Sequence, residues 1–173
     1  MTTAPARALW SVAPQPVGSP ESAALLRAYL TDVADRWYRL HHGRTTTPEE
    51  IERHLAEDPS DDLAPPHGVL LAGRYGGERA PGGCVGLRRL DGRTAELKRM
   101  YVRADRRGLG GAAVLLAAAE ATARSWGVRR IVLNTRRDLV EARALYARHG
   151  FTDVPAYADG PLPYAEVWLG KEL

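Results

Sequence analysis

Between Glu96 and Ala123 the chain passes from an alternating segment, Glu96-Leu97-Lys98-Arg99-Met100-Tyr101-Val102, through the basic stretch Arg103 to Arg107 and the glycines Gly108, Gly110 and Gly111, directly into an alanine-rich run with helical spacing. No other stretch restricts the fold as much. Strand, tight loop and helix N-terminus in immediate succession leave backbone amides pointing outward, with the positive end of the helix dipole behind them. A phosphate is the natural guest of such a cradle, although a glycine-rich turn that merely starts a helix has the same local pattern.

Spacing narrows the kind of phosphate ligand. A Walker loop needs Lys and Ser or Thr directly after its last glycine, and none follows here. A dinucleotide fingerprint needs Gly-x-Gly-x-x-Gly and an acidic residue at the end of the next strand, and only part of that pattern is present. The order Arg107-x-x-Gly110-x-Ala112 instead resembles the pyrophosphate-binding motif of the GNAT family of acyl-CoA N-acyltransferases. Its flanks add to the likeness. A strand ending in Met100-Tyr101-Val102 precedes it, and Leu145-Tyr146-Ala147-Arg148-His149-Gly150-Phe151 downstream is similar to the family's Leu-Tyr-x-x-x-Gly-Phe signature.

With 173 residues, 45% of them apolar, the chain can bury one sizeable core, and a single domain over residues 1–173 is expected. No apolar run approaches the roughly 20 residues of a membrane span, and Met1 to Val17 lacks the apolar centre of a signal peptide. A cytoplasmic protein without membrane association is expected. The single cysteine, Cys84, excludes an internal disulfide and reads as a packing group in an apolar strand. The five histidines show no metal-ligand spacing with Cys or Glu, so no metal site is read. Net charge is +3, too small to demand nucleic acid, but Lys98, Arg99, Arg103, Arg106 and Arg107 crowd the glycine loop, where a small polyanion would be well served.

Periodicity orders the remaining elements. A short strand spans residues 7–13. Ser19-Pro20-Glu21 opens an amphipathic helix that runs to Gly43, and Thr47-Pro48-Glu49-Glu50 is a capping box for a shorter helix ending at Asp58-Pro59. Val69 to Tyr75, Cys84 to Leu90 and Thr94 to Val102 form an antiparallel meander. A helix over Ala112 to Trp126 connects it to a strand over Arg129 to Thr135, which makes the sheet mixed. Asp138 is expected to cap the next helix, which Gly150 stops. Phe151 to Tyr157 and Tyr164 to Leu169 are the closing strands, joined through Gly160-Pro161-Leu162-Pro163.

This order matches the GNAT fold over essentially the whole chain: an α/β (α+β) domain whose mixed sheet of about seven strands is flanked by four helices. The resemblance implies acetyl-CoA as cofactor and transfer of an acetyl group to an amine in a ternary complex. The pyrophosphate would lie over the amides from Gly108 through Leu109, Gly110 and Gly111 to Ala112, with Arg106 and Arg107 to neutralise it. The pantetheine arm would pair with the strand through Met100, Tyr101 and Val102, where a backbone N–H would hold the thioester oxyanion. Tyr146 occupies the family's position for the acid that protonates the departing thiolate. An alkylammonium with a pKa of about 10 must lose a proton before it attacks, and Glu96 is the best-placed carboxylate to take it; Glu96 paired with a nearby Arg or Lys is the competing reading. Many relatives have Asn seven residues before the signature tyrosine. Leu139 stands there, and Asn134 is the candidate substitute.

The expected acceptor is a primary amine of a small molecule, walled by the two N-terminal helices, where Trp37, Tyr38, His41 and His42 are candidates for contact. A protein or aminoacyl-tRNA amine is the alternative, as is a degenerate acyl-CoA-binding module. Nucleic acid is not favoured as a partner, because the charges cluster at the loop rather than over a broad face. A homodimer is allowed.

Overall fold

A computed structural model describes residues 9–158 and 164–173. The start of the expected first strand and the whole Gly160-Pro161-Leu162-Pro163 connection lie outside these residues. In chain order the elements are β1 (Trp10–Pro14), α1 (Pro20–His42), α2 (Pro48–Glu57), β2 (Gly68–Tyr75), β3 (Gly83–Arg89), β4 (Thr94–Val102), α3 (Gly111–Ser125), β5 (Arg130–Thr135), α4 (Val140–Arg148), β6 (Thr152–Asp153) and β7 (Val167–Glu172). One seven-stranded sheet runs β1-β2-β3-β4-β5-β7-β6. All its pairs are antiparallel except β4–β5. The mixed sheet and the four helices seen among the described residues are those the sequence implies.

Local chemistry sets the helix ends. The Ser19 hydroxyl accepts from the Ser22 amide at 3.1 Å, Pro20 occupies the first turn, and Gly43 closes α1 at φ +67°. In α2 the box is reciprocal: Thr47 accepts from the Glu50 amide and Glu50 from the Thr47 amide.

Alternation along the strands assigns the two faces of the sheet. Leu71, Val85, Leu87, Ala95 and Leu97 point to α3 and α4, packing on Leu115, Leu116, Ala119, Leu145 and Tyr146. Leu70 and Cys84 point the other way, to Leu25 and Leu26 of α1. Leu115 and Leu116 are fully buried, each contributing about 1.5–3 kcal/mol. Glu96 and Lys98 flank Leu97 and therefore face α1. No helix among the described residues is long and apolar enough to cross a membrane.

The structure corrects three local expectations. Asp138 does not cap α4: Leu139 is the N-cap residue without a side-chain bond, and the Asp138 carboxylate is held by Arg136 through two hydrogen bonds of 2.8 Å. The strand expected over Phe151 to Tyr157 is only Thr152–Asp153. Val154 donates once more to Trp168, and Pro155 then has no N–H with which to continue the ladder. The last strand lies three residues later than its alternation suggests, because Gly170, Lys171 and Glu172 all pair with β5.

Candidate active site

β4 and β5 pair only through Thr94–Arg130, Ala95–Ile131 and Glu96–Val132. Beyond Glu96 they separate: β5 continues alongside β7, while Leu97 to Val102 keep β3 as their only partner strand. The parting opens a cleft of about 840 Å³ between α1, β4, the glycine loop, and α4. Within it β4 bulges. Cys84 faces Tyr101 and Gly86 faces Lys98, so Arg99 and Met100 together oppose Val85. Arg99 takes a left-handed φ of +55°, a strain of about 1–3 kcal/mol for a residue that is not glycine. The bulge turns its guanidinium toward Ser60 Oγ (3.0 Å) and Asp58 Oδ2 (2.9 Å), away from the glycine loop.

At the loop, Gly108 and Gly110 have φ +76° and +79°, and Gly110 is the N-cap of α3 without any side-chain cap. Among the described residues nothing accepts from the amides of Gly111, Ala112 or Ala113; the first bonded amide is Val114, to the Gly110 carbonyl. The amides are thus free for a ligand, as the glycine pattern implies. Sequence reasoning missed what supports them. Trp10, buried in β1, lies beneath the loop and donates from Nε1 to the Leu109 carbonyl at 2.8 Å. The only signal was a tryptophan in a short apolar strand.

The arginines around the loop are mostly committed. Arg106 forks onto Glu78, Arg103 binds Asp105 at 2.7 Å, and Arg107 donates to the Val102 carbonyl at 3.0 Å while reaching Asp32 at 3.4 Å. Arg106 and Arg107 still line the cleft, as do Met100, Tyr101, Val102, Gly108, Gly110, Gly111 and Ala112. Leu109 turns its carbonyl inward to Trp10.

Tyr146 is 5% exposed and lines the same cleft. Its hydroxyl makes no hydrogen bond among the described residues, yet Asp62 Oδ1 is the one sealed polar side-chain atom left without a partner there. The hydroxyl therefore opens to the cavity. Burial, and secondarily the neighbouring Tyr29, pushes its pKa above the ordinary 10, so it stays a proton donor throughout the neutral range.

Glu96, 4% exposed, accepts from Arg88 Nε at 2.8 Å and from the Tyr157 hydroxyl at 2.6 Å. Arg88 also binds Asp62 at 2.6 Å, and Asn134 Nδ2 donates to Tyr157 at 3.3 Å. A continuous polar chain thus runs Asn134–Tyr157–Glu96–Arg88–Asp62. Arg88 and Tyr157 had no periodic or motif signal. Asn134 and Leu139 both border the cleft and a smaller chamber beside it.

That chamber, of about 200 Å³, is walled by aromatic rings: Tyr29, Trp37, Tyr38 and Tyr164, with His54 at hand. His41 and His42 stack on Trp37 at 4.6 and 5.2 Å without lining it. Cys84 lies buried beneath the bulge, its thiol pushed up to about 12 by burial.

Residues 30–151 match the family model described as the acetyltransferase (GNAT) family. An uncharacterized N-acetyltransferase of Schizosaccharomyces pombe is 32% identical over 127 residues, covering 73% of this chain and 77% of that protein. The fold is shared with a PaiA N-acetyltransferase of Thermoplasma acidophilum in complex with coenzyme A (TM-score 0.69, 16% identity, 95% and 99% of the chains). It is also shared with a GNAT family acetyltransferase of Elizabethkingia anophelis with acetyl-CoA bound (TM-score 0.61, 20% identity, 95% and 98%). A family model spanning most of the chain, over a fold with a splayed sheet and a loop of unpartnered amides, has one consequence: the protein belongs to the GNAT acetyltransferase family.

Proposed function

We propose that the protein transfers the acetyl group of acetyl-CoA to a primary amine of a small molecule, by direct attack in a ternary complex. The observation that carries this reading is the parting of β4 from β5 over the unpartnered amides of Gly111, Ala112 and Ala113. These two features give an extended ligand a backbone edge and its phosphates a set of donors. Relatives of the same fold hold coenzyme A or acetyl-CoA, which supports the same ligand here.

In this reading the loop amides from Gly108 to Ala112 bind the pyrophosphate, with Arg107 at its edge. Arg106, already paired with Glu78, acts mainly to hold the loop. The backbone of Met100 to Val102 orients the pantetheine arm and places an N–H against the thioester oxygen. Tyr146 gives its proton to the departing thiolate. Glu96 takes the amine's proton at one remove: both its oxygens already accept hydrogen bonds, so Tyr157 is the group through which that proton travels. Asn134 steadies Tyr157 and borders the acceptor. The amine approaches from the aromatic chamber. A small acceptor is favoured over tRNA because Arg99, Arg103, Arg106 and Arg107 all face carboxylates, which leaves little free positive charge to spread over a polyanion.

Thiol release from acetyl-CoA, measured across an amine panel beside calorimetry with coenzyme A, tests the reading. Binding together with release by at least one small amine is expected. Binding with no release from any amine would leave an acyl-CoA-binding module instead.

A further inference from the structure

Of the five cations that crowd the glycine loop in sequence, Lys98 alone has no acidic partner among the described residues. It lies on the wall of the cleft, half-buried, and makes no hydrogen bond or ion pair among the described residues. The acids whose charge acts on it are held by other cations: Asp58 by Arg99 at 2.9 Å, and Asp62 by Arg88 at 2.6 Å through Oδ2, its Oδ1 having no partner among the described residues. Burial first, then the fields of Arg99 and Arg88, holds its pKa below the ordinary lysine value, and Asp58 and Asp62 only partly offset this. A partly desolvated ammonium among other cations is unfavourable unless something negative joins it.

The glycine loop follows the other end of β4, beyond the bulge. Lys98 stands four residues up the strand from Val102, at most about 13 Å with the bulge between them, so the phosphates of a coenzyme at the loop are not its nearest candidate partner. It also faces α1, the side on which the aromatic chamber lies. Lys98 lines the cleft but not the chamber; Asp58, whose charge acts on it, lines the chamber, so an acceptor reaching from chamber to cleft can meet it. An acceptor amine arrives as a cation itself, and a plain polyamine would be repelled by Lys98.

Building on the acetyl-transfer reading, we propose that Lys98 is a specificity residue that binds a carboxylate of the acceptor, so that the preferred substrates are amino acids and similar small amines carrying a carboxylate. One group then supplies the missing counter-charge to Lys98 and leaves the acceptor with no net charge on entering the cleft.

The test uses the L-amino acids, each beside the carboxamide that differs only in that group. Thiol release should favour the acid at least tenfold in kcat/KM. Lys98→Met should raise KM for the acid at least tenfold and leave both the amide and KM for acetyl-CoA within about twofold, and Lys98→Arg should recover part of the preference. Calorimetry on the protein saturated with coenzyme A reads the same discrimination without turnover: the acid binds, the amide does not, and Lys98→Met abolishes the difference. An acid preference that survives Lys98→Met overturns the proposal, as does equal use of acid and amide by the unaltered protein. Equal losses of kcat for both, with a displaced pH profile, would assign Lys98 to proton transfer and also overturn it. Release with uncharged amines but no carboxylate preference would leave acetyl transfer standing and remove only the role of Lys98.

Discussion

The ring of Trp10 lies so close beneath Gly111 that a Cβ on Gly111 would stand 2.5 Å from it. The first residue of the first described strand thus fixes how low the start of α3 can sit, across a hundred residues of chain. Gly73 and Gly82 border the same ring, with built Cβ atoms at 3.3 and 3.1 Å. The niche is shaped for an indole.

Gly111→Val is expected to lift the loop off the indole and weaken coenzyme A binding at least tenfold, read by calorimetry, with a lower melting temperature. Trp10→Phe loses the bond to Leu109 and part of a buried ring, leaving a void in this niche, so it should cost more than the about 0.5–1.5 kcal/mol of the hydrogen bond alone. If coenzyme A binds Gly111→Val as tightly as the unaltered protein, the ring does not position the cradle.

Tyr146→Phe should lower kcat by about a hundredfold to ten-thousandfold while coenzyme A affinity changes little, because only the proton donor is lost. Burial raises the pKa of this phenol, so the protonated form is fully present at neutral pH and would be lost only above pH 10. No alkaline loss of kcat below that point should trace to Tyr146. Normal turnover by the phenylalanine variant would remove its role as acid.

Glu96→Gln and Tyr157→Phe should each reduce kcat, because each breaks the hydrogen-bonded path from the cleft to the Glu96 carboxylate. Their double variant should be little worse than either, with a coupling above about 1 kcal/mol. Glu96→Gln should also lower the melting temperature, since the half-buried Arg88 keeps its charge with one carboxylate fewer. A Tyr157→Phe variant that melts lower yet retains kcat would make the pair purely structural.

Glu50 is held at about 2, against an ordinary 4.5, first by its hydrogen bonds from Arg44 and then by the Thr47 amide. The folded value is the lower one, so its contribution to the start of α2 is fully present above pH 4.5 and lost as pH falls through 2. Amide exchange in α2 should therefore accelerate over that window, more weakly in high salt because its partner Arg44 is exposed. Glu50→Gln should abolish the acid response, and an α2 equally protected at both ends of the window would contradict it.

Periodicity, capping residues and glycine spacing by themselves determined the order of elements, the antiparallel meander, the parallel crossover, and the loop whose amides stand free. These are local properties: a proline at the first helical position or a glycine with positive φ acts within a few residues of itself. The Leu145-to-Phe151 signature placed Tyr146 on the cleft for the same reason. Asp138 misled because Arg136, two residues earlier, takes its carboxylate in place of the helix amides, a competition as local as the cap itself. Only the fold decided which arginines were free, since Glu78, Asp32 and Asp58 lie far along the chain from the loop and reach Arg106, Arg107 and Arg99 through packing. It also decided that Glu96 meets Arg88 and Tyr157, that Trp10 carries the cradle, and that Lys98 is left alone. Charge pairing and desolvation depend on distances between remote segments, and a sequence pattern read within one element contains no such distances.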